Sequence, residues 1–193
     1  MEKVLVHICC APCFLYPFEL LSKEGYQVHG LFYNPNIHPY TEYQKRLQAV
    51  REMEEKEGIK IIYRDDYNLD AFLRGVAFRE ENRCLFCYHM RIKETAIVAR
   101  HGKYAYFTST LLYSKHQDHE AICRIASSLA KGYEVRFLNR DFREGWKAGI
   151  EKSKELGLYR QQYCGCIYSE RDRYLGVNRA DITSKREKNE KTV

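Results

Sequence analysis

Apolar positions along this chain alternate between short β-branched runs and stretches of helical period, beginning with its first residues. Val4–Ile8 reads as a buried strand. Pro12 suits the first turn of a helix running toward Lys23, with Gly25 as its stop. A second strand covers Tyr26–Tyr33, and the prolines of Asn34-Pro35-Asn36-Ile37-His38-Pro39 impose a loop. Thr41-x-x-Gln44 has the form of a capping box and predicts a helix to about Glu57, stopped by Gly58. Ile59–Tyr63 reads as a third strand, Leu69–Phe78 as a helix, and Met90–Arg100 as a further helix, with Cys84–Cys87 between the two. Tyr104–Thr108 and Glu134–Phe137 read as strands four and five. The helix His119–Ala130 between them is amphipathic, with Ile122, Ile125, Ala126 and Leu129 on one face and Gly132 beyond it. Asp141–Leu156 reads as the last helix.

This alternation predicts a three-layer α/β fold around a mostly parallel sheet of about five strands. Ligands of such sheets bind outside the carboxyl ends of the strands. Cys9 and Cys10 follow strand one, Asn34 strand two, Asp65 and Asp66 strand three, and Ser109 and Thr110 strand four, so all are expected around one crevice.

The 193 residues suffice for one α/β domain, expected to span 1–175, with 176–193 a basic, flexible tail. The net charge of +6 permits a polyanionic partner without requiring one, and sixteen tyrosines make stacking on bases available. No apolar run approaches membrane-spanning length, and Val4–Cys10 is too short for a signal-peptide core, so no membrane role is expected. The cytoplasm is the default location, where glutathione keeps thiols reduced. Metal or redox chemistry is then the stronger reading of a cysteine pattern, and a disulfide framework the weaker.

That pattern is dense. Seven of the eight cysteines fall in Cys9-Cys10-x-x-Cys13, Cys84-x-x-Cys87 and Cys164-Gly165-Cys166. Cys123, in mid-helix near an apolar face, reads as core. Cys84 and Cys87 have the spacing of two ligands to one metal or of a redox pair. Cys9 and Cys10 sit at a strand end, where a turn can aim both sulfurs at one site, and Cys13 lies a helical turn further on. Four thiolates suit structural zinc or an iron–sulfur cluster, and spacing does not separate the two. Oxidised, Cys164-Gly165-Cys166 would close a very small ring, and strained disulfides exchange readily; both thiolates binding a metal is the alternative.

Three segments carry a resemblance: His7-Ile8-Cys9-Cys10-Ala11-Pro12-Cys13, Arg83-Cys84-Leu85-Phe86-Cys87-Tyr88-x-x-Arg91 and Gly157-Leu158-Tyr159-Arg160-Gln161-Gln162-Tyr163-Cys164-Gly165-Cys166. Together with Phe107–Leu112 and His119-Glu120-Ala121-Ile122, they resemble the epoxyqueuosine reductase family of the QueH type over roughly residues 3 to 175. The resemblance implies an oxidoreductase of queuosine biosynthesis. It would reduce the epoxide of epoxyqueuosine, at the wobble position of a tRNA anticodon, to queuosine in the last step, without cobalamin. It implies a [4Fe-4S] cluster on Cys9, Cys10, Cys84 and Cys87, a redox-active disulfide pair at Cys164 and Cys166, and a second, adjacent iron. It also implies a fold similar to the HUP-type nucleotide α-hydrolases, although Cys9–Cys13 occupies the place of their Gly-rich phosphate loop. The partners implied are the tRNA and an unidentified electron donor.

Several residues are candidates for supporting roles. Cys13 and Asp66 (or Asp65) could ligate the second metal, and His116 or His119 could protonate the leaving oxygen. Tyr33, Tyr40, Tyr88 and Tyr113 could stack on bases. Arg83, Arg91 and Arg160 could hold phosphate, or form surface salt bridges. Two rival readings are a zinc-stabilised RNA-binding module without catalysis and a metal-free thiol–disulfide oxidoreductase.

Overall fold

The computed structural model describes residues 1–176; the expected tail lies outside them from residue 177 onward. Five strands, β1 (Lys3–Ile8), β2 (Gln27–Phe32), β3 (Lys60–Tyr63), β4 (Tyr106–Ser109) and β5 (Arg136–Phe137), form one parallel sheet in the order β3-β2-β1-β4-β5. β1 is central. Val4, Leu5, Val6 and Ile8 have no solvent exposure, as a strand covered on both faces requires. Burying each contributes about 1.5–3 kcal/mol, which outweighs the loose β-propensity of the shorter outer strands.

The chain leaves β1 in one direction toward β2 and β3, and returns past it to β4 and β5. The order therefore reverses between β1 and β4, the position where parallel sheets open a binding crevice. Right-handed crossovers put α1 (Ala11–Lys23) and α2 (Tyr40–Glu57) on one face. They put α4 (Arg83–His101) and α5 (His119–Gly132) on the other, with α4 packed on β1, β4 and α5. Short α3 (Leu69–Val76) precedes α4, and α6 (Trp146–Glu155) packs on α1.

Four boundaries differ from the sequence reading. α2 starts at Tyr40 with Pro39 as its N-cap; proline has no side-chain acceptor, so the helix has no side-chain cap and Thr41 falls inside its first turn. α4 begins at Arg83, so Cys84 and Cys87 lie inside a helix rather than before one. No Gly or Pro interrupts Arg79–Arg100, and a short 3-10 turn at Glu80–Asn82 leads straight in. Asp141 caps the Arg143 N–H and pairs with its side chain, so a 3-10 turn at Arg143–Gly145 delays α6 to Trp146. An eight-residue helix, α7 (Ile167–Tyr174), follows the last cysteine motif; none of its residues is buried, so it carries no apolar period to read.

Candidate thiol-rich active site

The end of β1 is fastened from three sides. Asn34 Nδ2 donates to the Ile8 carbonyl (2.7 Å), and the Cys9 N–H donates to Thr110 Oγ1 (3.0 Å). His7, wholly buried, donates from Nε2 to the Tyr33 carbonyl (3.1 Å). Its Nδ1 lies 3.0 Å from Ser109 Oγ, which already accepts the Leu111 N–H and so gives its own proton to the ring. Burial first, and Arg91 second, push the His7 pKa down to about 4, in keeping with a neutral ring. The residues after β2 and β4 thus hold the cysteine-bearing strand end.

Cys10 is the extended N-cap residue of α1, and Pro12 stands in the first turn of that helix. The strand-to-helix turn brings the sulfurs of Cys9, Cys10 and Cys13 within 4.8 Å of one another. Cys10 Sγ lies 2.7 Å from Cys13 Sγ and 3.6 Å from Cys9 Sγ. Cys10 and Cys13 are buried, Cys9 half-buried. Hydrogen bonds from the Cys10 and Cys13 thiols hold the Cys9 thiol well below its usual range. Burial pushes Cys10 up, and the neighbouring thiols push Cys13 up. The three sulfurs crowd the N-terminus of α1, where the partial positive charge of the helix favours a thiolate. Three thiolates this close repel one another unless a cation sits among them, so the donor set fits a thiophilic metal. Among the described residues this is the one His/Cys/Asp/Glu group of that compactness.

Gln161 Nε2 donates to Cys10 Sγ at 2.9 Å, with Cys13 Sγ at 3.7 Å. Sequence reasoning missed this contact, although Gln161 lies within the motif ending at Cys166.

A second thiol group comes from α4 and the C-terminal loop. Cys84 and Cys87 stand one turn apart at the start of α4. Cys87 packs with Cys166, Phe72 and Val76 in a small apolar cluster, and burial pushes its thiol up. Cys164 is open to solvent on one side and ringed by protein on the others. This crowding pushes its thiol up, while Gln117 Nε2 donates to its sulfur (3.3 Å). Cys164 and Cys166 are both free thiols.

Their loop is clamped by α2 and the loop before it. Arg46, 1% exposed and paired with Glu42, donates to the carbonyls of Cys164 (2.8 Å) and Tyr163 (3.0 Å). The His38 N–H donates to the Gly165 carbonyl (2.8 Å). Gly165 has φ +151°, and a Cβ there would press on Asn36, Ile37 and Arg46, so glycine is needed between the two thiols.

Two arginines expected at the surface or on phosphate are buried instead. Arg83 pairs with Asp172 (2.6 Å) and ties the start of α4 to α7. Arg91, 1% exposed, donates from Nε to the Cys87 carbonyl (3.3 Å), and its Nη2 has no partner. Burial works against its charge, and the sulfurs of Cys87, Cys164 and Cys9, with the Tyr88 hydroxyl, favour it when they are ionised. Arg91 therefore links the two thiol groups electrostatically. Arg160 is exposed.

One cysteine of each group, Cys13 and Cys164, lines a hollow of about 620 Å³ with Gln117, Gln161, His116 and Trp146, and Cys84 lines another that shares His116 and Gln117. Trp146 stacks on buried Tyr113 (centroids 5.5 Å apart, 28° between planes), with His116 edge-on to it. Gly149 permits this packing, since a Cβ there would lie 2.3 Å from the Tyr113 hydroxyl. Among the tyrosines proposed for stacking, Tyr88 and Tyr113 are buried, Tyr33 is half-buried and Tyr40 is exposed. Tyr88 donates to Gln117 Oε1 (2.8 Å) and so orients the amide that reaches Cys164. His119 Nε2 donates to the Ser114 carbonyl (3.3 Å). Asp65 accepts from Tyr43 (2.8 Å), and Asp65 and Asp66 line a separate hollow with Tyr33, Tyr63, Arg64 and Glu94.

A family model described as "Epoxyqueuosine reductase QueH" matches residues 4–172. A curated protein of that name from Dehalococcoides mccartyi is 41% identical over 173 residues, covering 89% of this chain and 94% of the relative. One from Thermotoga maritima is 33% identical over 193 residues, covering 93% and 97%. Among solved structures, the U34-tRNA thiolase NcsA from Methanococcus maripaludis with its [4Fe-4S] cluster superposes with a TM-score of 0.59 at 18% identity, over 97% of this chain and 67% of that one. A predicted subunit of tRNA methyltransferase from Methanocaldococcus jannaschii gives 0.51 at 15% identity, over 80% and 75%. These two show the fold alone, and it is the HUP-like one that the sequence resemblance implied.

Proposed function

The chain belongs to the epoxyqueuosine reductase QueH family, and from that premise we propose that its thiol-lined hollow removes the epoxide oxygen of epoxyqueuosine at the wobble position of a tRNA anticodon. The enzyme is an oxidoreductase. The observation that supports the siting is one hollow lined by a cysteine from each thiol group, Cys13 and Cys164. The zinc-stabilised RNA-binding module is not favoured, because the relatives are named as reductases along almost their whole length.

Deoxygenation of the epoxide consumes two electrons and two protons and releases water, leaving an alkene. In this reading Cys9, Cys10, Cys84 and Cys87 hold a [4Fe-4S] cluster, and Cys13 is an additional thiolate for an adjacent iron. The all-sulfur donors and the orphaned Arg91 N–H among them fit an anionic sulfur-based centre. When bound, the cluster would supply electrons one at a time. Cys164 and Cys166 form the two-electron store: oxidation of the dithiol to a disulfide releases two electrons and two protons, which matches the demand of the reaction. Cys164, open to the hollow, is the partner that meets the substrate, and buried Cys166 resolves it. Trp146 offers a face for the nucleobase. Gln161 and Gln162 offer amide groups for its polar edge. His116 is placed to deliver a proton. Asp66 lies in the neighbouring hollow and has no part in this scheme.

Among the described residues no helix is long and apolar enough to cross a membrane. The reading carries a cytoplasmic location, where an external donor would re-reduce the pair. The test is an anaerobic assay on tRNA containing epoxyqueuosine, with product nucleosides read by mass spectrometry. Appearance of queuosine without added cobalamin is the expected result. Unchanged epoxyqueuosine, from protein holding iron and inorganic sulfide and supplied with a low-potential reductant, would refute it.

A further inference from the structure

We propose that Arg91 is a positioning residue that donates an N–H to sulfur in the metal-bound thiol centre and raises its reduction potential, an inference that rests on the cluster reading above. α4 sets the geometry. Cys84, Cys87 and Arg91 recur at i, i+3 and i+7, so one helical face carries two thiols and one guanidinium. Nε is spent on the Cys87 carbonyl, which fixes the plane of the guanidinium. Nη2 is buried and unpartnered. No carboxylate forms an ion pair with Arg91 among the described residues.

A buried guanidinium without a counter-charge is strongly unfavourable. The groups around this one are the sulfurs of Cys87, Cys164 and Cys9, drawn from both thiol groups. Arg46 offers the contrast. It is equally buried, but its charge is met by Glu42 and its fork by two carbonyls. Arg91 keeps a buried Nη2 without a partner, and the titratable groups nearest it are those three sulfurs, the Tyr88 hydroxyl and the His7 ring. Reduction adds negative charge to such a centre, and a fixed N–H donor stabilises the reduced form more than the oxidised one.

The experiment is a redox titration of anaerobically reconstituted protein, followed by visible absorption and electron paramagnetic resonance, after iron and sulfide have been counted. R91Q removes the charge. Its potential is expected to fall so that, where wild type is half reduced, the oxidised form dominates by about tenfold, a shift of about 59 mV for a one-electron couple. R91K keeps the charge without the planar fork and is expected to fall between the two. Loaded R91Q with the wild-type potential overturns the proposal. If R91Q fails to load, a wild-type potential in R91K overturns it. Wild-type protein that takes up no iron or sulfide overturns the cluster reading itself, which is a separate result.

Discussion

The two thiol groups of this fold are built in opposite ways. Cys9, Cys10 and Cys13 come from one strand-to-helix turn, and their sulfurs meet because the backbone turns there. Cys84 and Cys87 meet Cys164 and Cys166 only because Arg46, the Arg83–Asp172 pair and Gly165 hold distant segments together. The first group is anchored on the most buried strand of the sheet. In the second, Cys87 and Cys166 pack with Phe72 and Val76, while the loop carrying Cys164 is held by polar contacts and followed by α7, a helix with no buried residue. The difference suits the jobs proposed for the turn thiols as metal ligands and for Cys164 and Cys166 as the cycling pair, with Cys84 and Cys87 on α4 counted among the ligands. A metal ligand set needs fixed geometry, whereas a dithiol that cycles between oxidation states needs a loop that can give.

The sharpest break of this comparison is Cys10→Ala. Removing the middle sulfur of the triad is expected to abolish iron retention after anaerobic reconstitution. The loss should exceed the about 10–100-fold cost typical of outer-sphere changes around a metal. Metal analysis against a folded, correctly melting variant is the measurement. Cys164→Ser should act differently: iron content stays at the wild-type level, while turnover, the first included, is lost. Were Cys164→Ser to shed iron as Cys10→Ala does, the division into a holding group and a cycling group would be wrong.

The smallest expected effect is on stability. His38 is wholly buried in the loop that fastens Gly165, packed against Phe72 and Tyr67, and neither ring nitrogen has a hydrogen-bond partner. Burial pushes its pKa down to about 4, and an approach to the Pro35 backbone that falls short of a hydrogen bond offsets this only in part. Between about pH 6.5 and 4 the unfolded chain therefore binds the proton that the folded ring refuses. This contribution is fully present above about pH 6.5 and is lost as pH falls through that window, on the order of 2–3 kcal/mol. Calorimetry across the window should show the fall, and His38→Leu should reduce it, leaving the part that His7, also pushed down to about 4, contributes. A variant that tracks wild type would assign the acid sensitivity elsewhere.

Much of the layout was legible in the chain. The β-branched run at Val4–Ile8 and its four successors mark the strands, and the alternation with helices leads to a parallel sheet with Cys9 and Cys10 at its carboxyl edge. Local signals misled where a competing contact won. The capping-box pattern at Thr41 is idle because the helix starts one residue earlier, at Tyr40, and Cys84 and Cys87 sit inside α4 because nothing breaks it. The motifs flagged Arg91 and Gln161 but not their contacts, and Arg46 carried no signal, since a charged or amide residue on a helix or loop looks solvated until something is packed over it.

Residue order alone settled the chemistry on offer here: thiols at metal spacing, a glycine between two of them, and a strand end to carry the first pair. Adjacent residues cannot separate, so anything that depends on adjacency survives any packing. Which thiols share a hollow, which arginine is stranded among them and which carbonyls hold the last motif depend on contacts between segments far apart in the chain. Only burial against one another fixes those, and burial is a property of the folded whole.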